Sequence, residues 1–577
     1  MLSRILIIAA LLVILGVPLG VRLTRSEPVP PVNARRLVVI TPHVPQIRRE
    51  FGQAFARWHQ RKFGEPVIVD WRSPGAGTTE IIKILAAQYT AAAKDGRFDF
   101  SDPKNPKAAP GTIAFDMMFG GGSFDHNRLK TEVKLRLPDP SGTKDTDGKP
   151  KLVDFALPIS APACFSQAQL DDWFGENQIG AERLYDPDQF WLGTALSGFG
   201  IVYNRDSFKR LGLDEPLGFQ DLTSPLLQGE LILADPRQSG SVTTAIDSIL
   251  NAELWNTARR EGWEAELDAS FLLERKDRTP WEKSLSSEHM ASVEHAFTRA
   301  WRTLREICAN SRAYTAAATR PPIDVSAGEG AAGLAIDFYG RGQAQAVLAP
   351  GQSVKQSRVW YVDPQGAAYI DADPASILRG GPEPQLAKRF LEFTLSDEGQ
   401  ALWNFPTPRT RKNTPDAFPD APLDEDRRPM GPEYYELRRL PIKRSMYEKY
   451  LPHLIDQLDP FTIASGNRPA NWRPAIGVMV GAFSIDLLDT QREAWRVLNL
   501  ARVNSAVAPE KLAAMEAAFY AFPETPGKDG QSLAFSATNF RAIREVWRPS
   551  VPGQLEIKYT NFFRDRYNQV IRLANQP

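Results

Sequence analysis

The sequence predicts an α/β fold built on a parallel sheet, and three observations carry that prediction. Short β-branched runs at 37–41 (LVVIT) and 67–71 (VIVDW) have the composition of strands. Between them Ile47, Phe51, Phe55 and Trp58 recur at intervals of four, four and three, the spacing of one helix face, with Pro45 near the start. Strand, helix and strand in that order make a βαβ unit. The same grammar returns at 230–250, where ELILA leads through the loop DPRQSGS into a helical stretch.

The remaining elements follow in order. A helical stretch around Ile81, Leu85 and Tyr89 and a polar excursion precede a third strand, expected at 113–119. Residues 251–312 carry Trp, Glu and Arg at helical spacing, and 331–337 (AAGLAID) return to strand composition. The stretch 380–403 contains a helix bearing Leu386, Phe390, Phe393 and Leu402. Beyond about Arg439 the strand patterns fade. Leu512, Met515 and Phe519 mark one helical stripe there, and Tyr559, Phe563, Tyr567 and Ile571 another. The Pro-rich, acidic stretch 416–432 is expected to be a linker or surface loop, and no repeat of solenoid period is present.

Composition bounds the function. The 577 residues are 42% hydrophobic and 24% charged, which excludes a disordered or collagen-like chain and suggests about three domains. Lys plus Arg and Asp plus Glu are both 69, so nothing in the net charge draws the chain to nucleic acid. Cys164 and Cys308 are far apart and lack C-x-x-C spacing; this leaves one disulfide or two free buried thiols and offers no zinc site. Residues 5–21 are almost wholly apolar, with Arg4 before them and Arg22 and Arg25 after. No small-x-small cleavage site or lipid-accepting Cys follows, so an uncleaved N-terminal membrane anchor is expected rather than a removed signal. The Pro-rich EPVPPVN then detaches it from a folded region working outside the cytoplasmic membrane.

In a parallel α/β sheet the loops leaving the carboxyl ends of the strands gather on one edge, where ligands bind. Three such loops are legible: Thr41 to His43, SPGAGTT at 73–79 and GGGS at 120–123. Any one of them is simply a turn; three at corresponding positions, each with hydroxyl or imidazole groups, point to binding. SPGAGTT lacks the Gly-Lys-Ser/Thr of a nucleotide P-loop. The middle segment adds Thr194 and Ser197, and a second helix start carries Gly240, Ser241, Thr243 and Thr244. Arg341, after a predicted strand, is a candidate bidentate holder of a carboxylate, phosphonate or phosphate; an Arg–Asp salt bridge at a domain surface is the alternative. Enzyme signatures such as G-x-S-x-G and H-E-x-x-H are missing and the six His are scattered, while Cys164 has an apolar neighbourhood suited to packing.

Several whole phrases resemble the periplasmic solute-binding proteins of ABC importers, in the branch that includes ferric-iron and phosphonate binders. LVVITPHVPQIRREFGQAF looks like that family's opening strand and helix, and WLGTALSGFGIVYNRDSFKRLGL and LILADPRQSGSVTTAI like its second-lobe phrases. IDFYGRGQAQAV, IDADPASILRG and AKRFLEFTLSDEGQALW look like its return to the first lobe. The resemblance covers about 36–403 and implies a two-lobe periplasmic-binding-protein fold with discontinuous lobes and a hinge. Beyond the anchor (1–25) and linker (26–35), it places lobe 1 at 36–125, lobe 2 at 126–335 and the lobe 1 return and hinge at 336–410. An irregular 411–444 and an added, mainly helical C-terminal region at 445–577 complete the chain.

Carried over by position, the resemblance implies a ligand site of His43, Ser73, Gly75, Gly77, Thr78, Gly121, Gly122, Ser123, Ser197, Ser241, Tyr339 and Arg341, with no catalytic residue, metal or cofactor. Ferric-binding members typically use two adjacent tyrosines; here Phe338 precedes Tyr339, which favours a small anionic or polyoxygenated solute over iron. The implied partners are that solute, the membrane subunits of an ABC importer and, through the N-terminus, the membrane. A ligand-sensing ectodomain with the same fold is the alternative from a different class.

Overall fold

The computed structural model describes Gly16 and residues 33–576, leaving out 75–76, 103–104, 140, 350–351, 353, 415–416 and 549. The expected membrane anchor, most of the Pro-rich linker and Gly75 lie outside the described residues. Among the described residues no helix is long and apolar enough to cross a membrane.

The predicted βαβ unit forms. Strand β1 (Arg35–Ile40), helix α1 (Pro45–Phe63) and strand β2 (Val67–Arg72) follow one another, and β1 runs parallel to β2 on one side and to β3 (Met117–Phe119) on the other. Helix α1 starts at Pro45, where a missing N–H costs no helical bond, and ends at Gly64, whose φ of 70° suits a residue without a Cβ. Its Ile47, Phe51, Phe55 and Trp58 are buried, as their spacing predicts. Strand β3 is shorter than the expected 113–119, because the backbone N–H of Ile113 is taken by Gly380 O at 2.9 Å instead of a neighbouring strand. Helix α2 (Ser123–Arg128) leaves the Gly-rich loop after β3.

The long strand β4 (Leu192–Asn204) is buried throughout. Strand β5 (Leu231–Ala234), helix α3 (Gly240–Glu261), helix α4 (Ser287–Ala309), strand β6 (Ser311–Thr315), strand β7 (Ala332–Ile336) and helix α5 (Asp337–Ala346) make the second α/β unit, with β5 parallel to β6 and β7. Strands β8 (Val359–Val362) and β9 (Tyr369–Leu378) complete one sheet in the order β6-β5-β7-β4-β9-β3-β1-β2. The second half of β4 pairs with β7 and β8, its first half with β9, and the end of β9 pairs with β3. These two antiparallel strands therefore cross between the α/β units. They are the hinge that the resemblance implies.

Two boundaries differ from the expectation. The hairpin of Val133–Pro138 with Leu152–Leu157 packs Val133, Leu135 and Phe155 into one cluster with Ile81 and Leu85, so it stands on the first lobe. The stretch expected to be a linker is irregular but held down: the Glu50 carboxylate accepts the backbone N–H groups of Glu433, Tyr434 and Tyr435 at 2.8–2.9 Å. It ends in β10 (Leu440–Pro441), which pairs with β4 at Leu196 and Ala195. Beyond it, α6 (Pro474–Phe483), α7 (Leu488–Val503), α8 (Pro509–Tyr520) and α9 (Gly553–Asn575) share one core with the second lobe. Trp472, Phe519 and Tyr567 lie in the same buried cluster as Trp255 and Trp301 of α3 and α4.

Candidate interlobe binding site

At the edge of the first lobe, side chains hold the predicted loops in place. Thr41 Oγ1 donates to Phe119 O at 2.7 Å and accepts the N–H of His43 at 3.0 Å, tying the loop after β1 to the end of β3. The His43 ring stands edge-on to Phe119 with centroids 4.7 Å apart. Burial, reinforced by the charge of Arg439, pushes its pKa well below the usual histidine range, so it is neutral at pH 7. Gly120 (φ 93°) and Gly121 (φ 112°) are positions only glycine fits: a Cβ would come within 2.4 Å of the His43 ring at the first and of the Thr78 methyl at the second. Ser123, opening α2, donates its N–H and its hydroxyl to Asp371 Oδ2 at 3.2 and 2.9 Å. Gly122 and Thr78 are half-buried beside it; Ser73 and Gly77 are exposed.

The hinge strands supply the next layer. Ser197 on β4 donates to Asp373 Oδ2 on β9 at 2.8 Å, and Asp373 also meets the Arg439 guanidinium. From the second lobe, Tyr339 packs its ring 4.2 Å from that of Phe338, and Arg439 lies 3.9 Å over the Phe338 ring. Arg341 is engaged elsewhere: Nη2 is 2.6 Å from Asp363 Oδ2, Nη1 is 3.7 Å from Asp456, and the guanidinium lies over Tyr361. Ser241 sits half-exposed in the first turn of α3, where Arg473 donates to Thr244 Oγ1 at 2.8 Å and Gly240 O at 3.0 Å. Arg473 also lies over the ring of Phe124 on α2, so it touches both lobes.

These contacts link His43, Thr78, Gly121, Gly122 and Ser123 at the edge of the first lobe to the hinge strands through Asp371, and Ser197 on the hinge through Asp373 and Arg439 to Phe338 and Tyr339 of the second lobe; Ser241 opens α3 apart from them, and Arg341 faces an ion-pair network. Carboxyls dominate the electrostatics. Burial pushes Asp337 up to about 7 and Asp247 to about 6, and burial together with the charge of Glu182 raises Asp371. For Asp456 burial opposes ionisation, but Arg438 and Arg341 outweigh it and hold the carboxyl down at about 2.

Sequence reasoning missed Asp371 and Asp373, although two aspartates spaced i, i+2 on a strand share a face, and that signal stands in IDADPASILRG. It also missed Arg439, which lies in the irregular stretch and carries no motif. The cysteines are both free, Cys308 buried and Cys164 exposed. The packed position expected for Cys164 is not observed; it sits at φ 53° in a turn that leaves its side chain outside. Among the described residues no group of three or more His, Cys, Asp or Glu is placed to hold a metal ion.

Two α/β lobes joined by crossing strands, with polar loops from both facing the hinge, define a two-lobed binding protein. Residues 164–436 match the family model described as "Bacterial extracellular solute-binding protein", so the resemblance to that family holds across the hinge and most of the second lobe. A curated relative, "Phosphoglycerate transport regulatory protein PgtC" of Salmonella typhimurium, is 31% identical over 72 residues, and its counterpart in Salmonella typhi matches equally. That match covers 12% of this chain and only 17% of the relative's length. Solved structures with some likeness include the periplasmic binding protein AfuA from Actinobacillus pleuropneumoniae, with fructose-6-phosphate bound (18% identity, 63% of this chain and 81% of that one, TM-score 0.38). Iron-bound HitA from Pseudomonas aeruginosa is 14% identical over 78% of this chain and 99% of that one, with a TM-score of 0.41.

Proposed function

We propose that this protein is an extracytoplasmic solute-binding protein, which closes two lobes on a small anionic or polyoxygenated solute and presents it to the membrane subunits of an ABC importer. The observation that carries the reading is the family match over 164–436, which includes both hinge strands and the second-lobe half of the site. The site chemistry agrees with it: hydroxyls, a neutral histidine and buried carboxyls are groups that orient a solute. The apolar segment at 5–21 tethers the protein to the inner membrane on this reading. Native mass spectrometry of protein purified from its own cells is expected to find a bound solute that is released unchanged on denaturation. Turnover of that solute would overturn the reading.

One observation favours a second reading, a sensory ectodomain: the curated relative is named a transport regulatory protein. Deleting the gene separates the two, since loss of solute uptake supports import and loss of a transcriptional response with uptake intact supports sensing.

Ferric iron is not the proposed cargo, because Phe338 stands where a second phenolate would be needed and burial raises the pKa of the remaining Tyr339. Titration with ferric citrate is expected to leave the protein colourless. A stoichiometric coloured complex, lost in Tyr339→Phe, would restore iron as the cargo.

A further inference from the structure

We infer that Arg439, and not Arg341, holds the anionic group of the solute, in a buried site that it shares with His43, Tyr339 and Asp337. The inference rests on the solute-binding reading above. Arg439 is fixed at the junction of all three parts of the site. Its backbone N–H donates to Trp403 O at 3.1 Å, and the next residues enter β10 against the hinge strand β4. Its guanidinium covers Phe338 of the second lobe at 3.9 Å, approaches Trp403 of the first lobe at 5.7 Å and meets Asp373 on β9.

What marks a binding site is that polar atoms around this guanidinium have no partner among the described residues. Arg439 is 5% exposed and its Nε is unpartnered; His43 is 5% exposed with Nε2 unpartnered; Asp337 is fully buried with Oδ2 unpartnered. Leaving one such group without a hydrogen bond is costly, and the unpartnered atoms of His43 and Asp337, from two other segments, stand with that of the Arg439 cation as groups a polar ligand would satisfy. Burial draws the Arg439 pKa down to about 10, which leaves it charged at neutral pH.

Arg341 also has an unpartnered Nε, but both of its Nη groups face carboxylates. Two arginines, Arg341 and Arg438, face two carboxylates, Asp363 and Asp456, and Arg438 alone reaches Asp456 through both Nε (2.9 Å) and Nη2 (2.5 Å). That network is balanced in charge without a ligand. Asp373, by contrast, has a second donor in Ser197 at 2.8 Å, so an incoming oxyanion can share Arg439 without stranding the aspartate.

The chemistry that fits is a singly charged oxyanion with hydroxyls on neighbouring carbons. The guanidinium fork takes the oxyanion, Asp337 and His43 meet hydroxyls, and the rings of Phe338 and Trp403 cover the carbon skeleton.

Isothermal titration of the full chain with inorganic phosphate, glycerol 3-phosphate, glycerate and citrate, and with any solute released from the native protein, tests this. Wild type is expected to bind at least one of these, and Arg439→Gln to weaken that binding roughly 30-fold or more. Arg439→Lys, which keeps the charge and the fold but loses the planar fork, is expected to weaken it about tenfold. Arg341→Gln is expected to stay within about threefold while lowering Tm. Binding that both Arg439 variants leave within about threefold means that these polar atoms meet only water, and overturns the assignment while the solute-binding reading stands. Wild type that binds no probe and releases no solute overturns both.

Discussion

Arg305→Ala is expected to lower the stability of the folded protein by about 2 to 4 kcal/mol and to loosen the C-terminal helices from the second lobe. Arg305 on α4 is fully buried, and no carboxylate pairs with it. Its Nη1 donates to Phe519 O at 2.5 Å and Ala521 O at 2.9 Å, at the end of α8. The guanidinium is enclosed by the rings of Phe483, Phe522 and Phe563 at 4.2–5.0 Å. Truncation leaves two buried carbonyls without donors and opens a cavity between three rings, and relief of the cost of burying the charge offsets only part of that. Arg305→Met refills the space without restoring the hydrogen bonds, so it should recover about half of the loss. Urea denaturation measures both variants, and limited proteolysis reports whether the C-terminal helices detach first. A midpoint indistinguishable from wild type would remove Arg305 from this role.

That junction also shows where sequence reading stops. The stripes Met515–Phe519 and Tyr559–Phe563–Tyr567 identify helices with an apolar face, and the structure buries those faces. Periodicity says that a face is covered and not what covers it, so the added helical region is legible while its packing into the second lobe's core is not. The first βαβ unit was legible because Ile47, Phe51, Phe55 and Trp58 face a sheet made by adjacent chain. The hairpin after α2 was assigned to the wrong lobe because its partners, Ile81 and Leu85, lie about 50 residues earlier in the chain.

The site divides the same way. His43, Gly121 and Ser123 were visible because loops at strand carboxyl ends gather on one edge whatever their sequence. Arg439 was not, since its place depends on how an irregular stretch is pinned by Glu50 and finally paired with β4. Arg341 had the residue type and position expected of an anion holder, but its ion-pair partners Asp363 and Asp456 come from later in the chain.

The buried carboxyls make a second large effect, and its sign is opposite to that of ordinary surface acids. Stability is expected to fall as pH rises from about 4 to 7. Burial holds Asp337 at about 7 and Asp247 at about 6, both above the value of 3.8 for a free aspartate. Between pH 4 and 7 the native protein therefore keeps protons that the unfolded chain has released, and each pH step upward favours unfolding. For Asp337 burial comes first and the charge of Asp363 adds to it, while Arg341 and the N–H groups of Gly198 and Phe338 oppose it. The contribution lost across the window is on the order of 4 kcal/mol for this one group, because about three pKa units separate its folded and unfolded values. Asp456 acts in the other direction: held at about 2 by Arg438 and Arg341, it contributes stability above pH 4 that disappears as pH falls towards 2. Together they place the stability maximum at about pH 4. Melting curves from pH 3 to 9 test this, with Asp337→Asn as the diagnostic variant. It keeps the volume and cannot ionise, so it should come nearest to wild type below about pH 4, exceed it by a growing margin from pH 5 to 7 and flatten the decline between them. A wild-type melting temperature that holds level or climbs from pH 4 to 7 would show that the protein ionises these carboxyls freely, and Arg439 would then stand near a charged rather than a protonated Asp337.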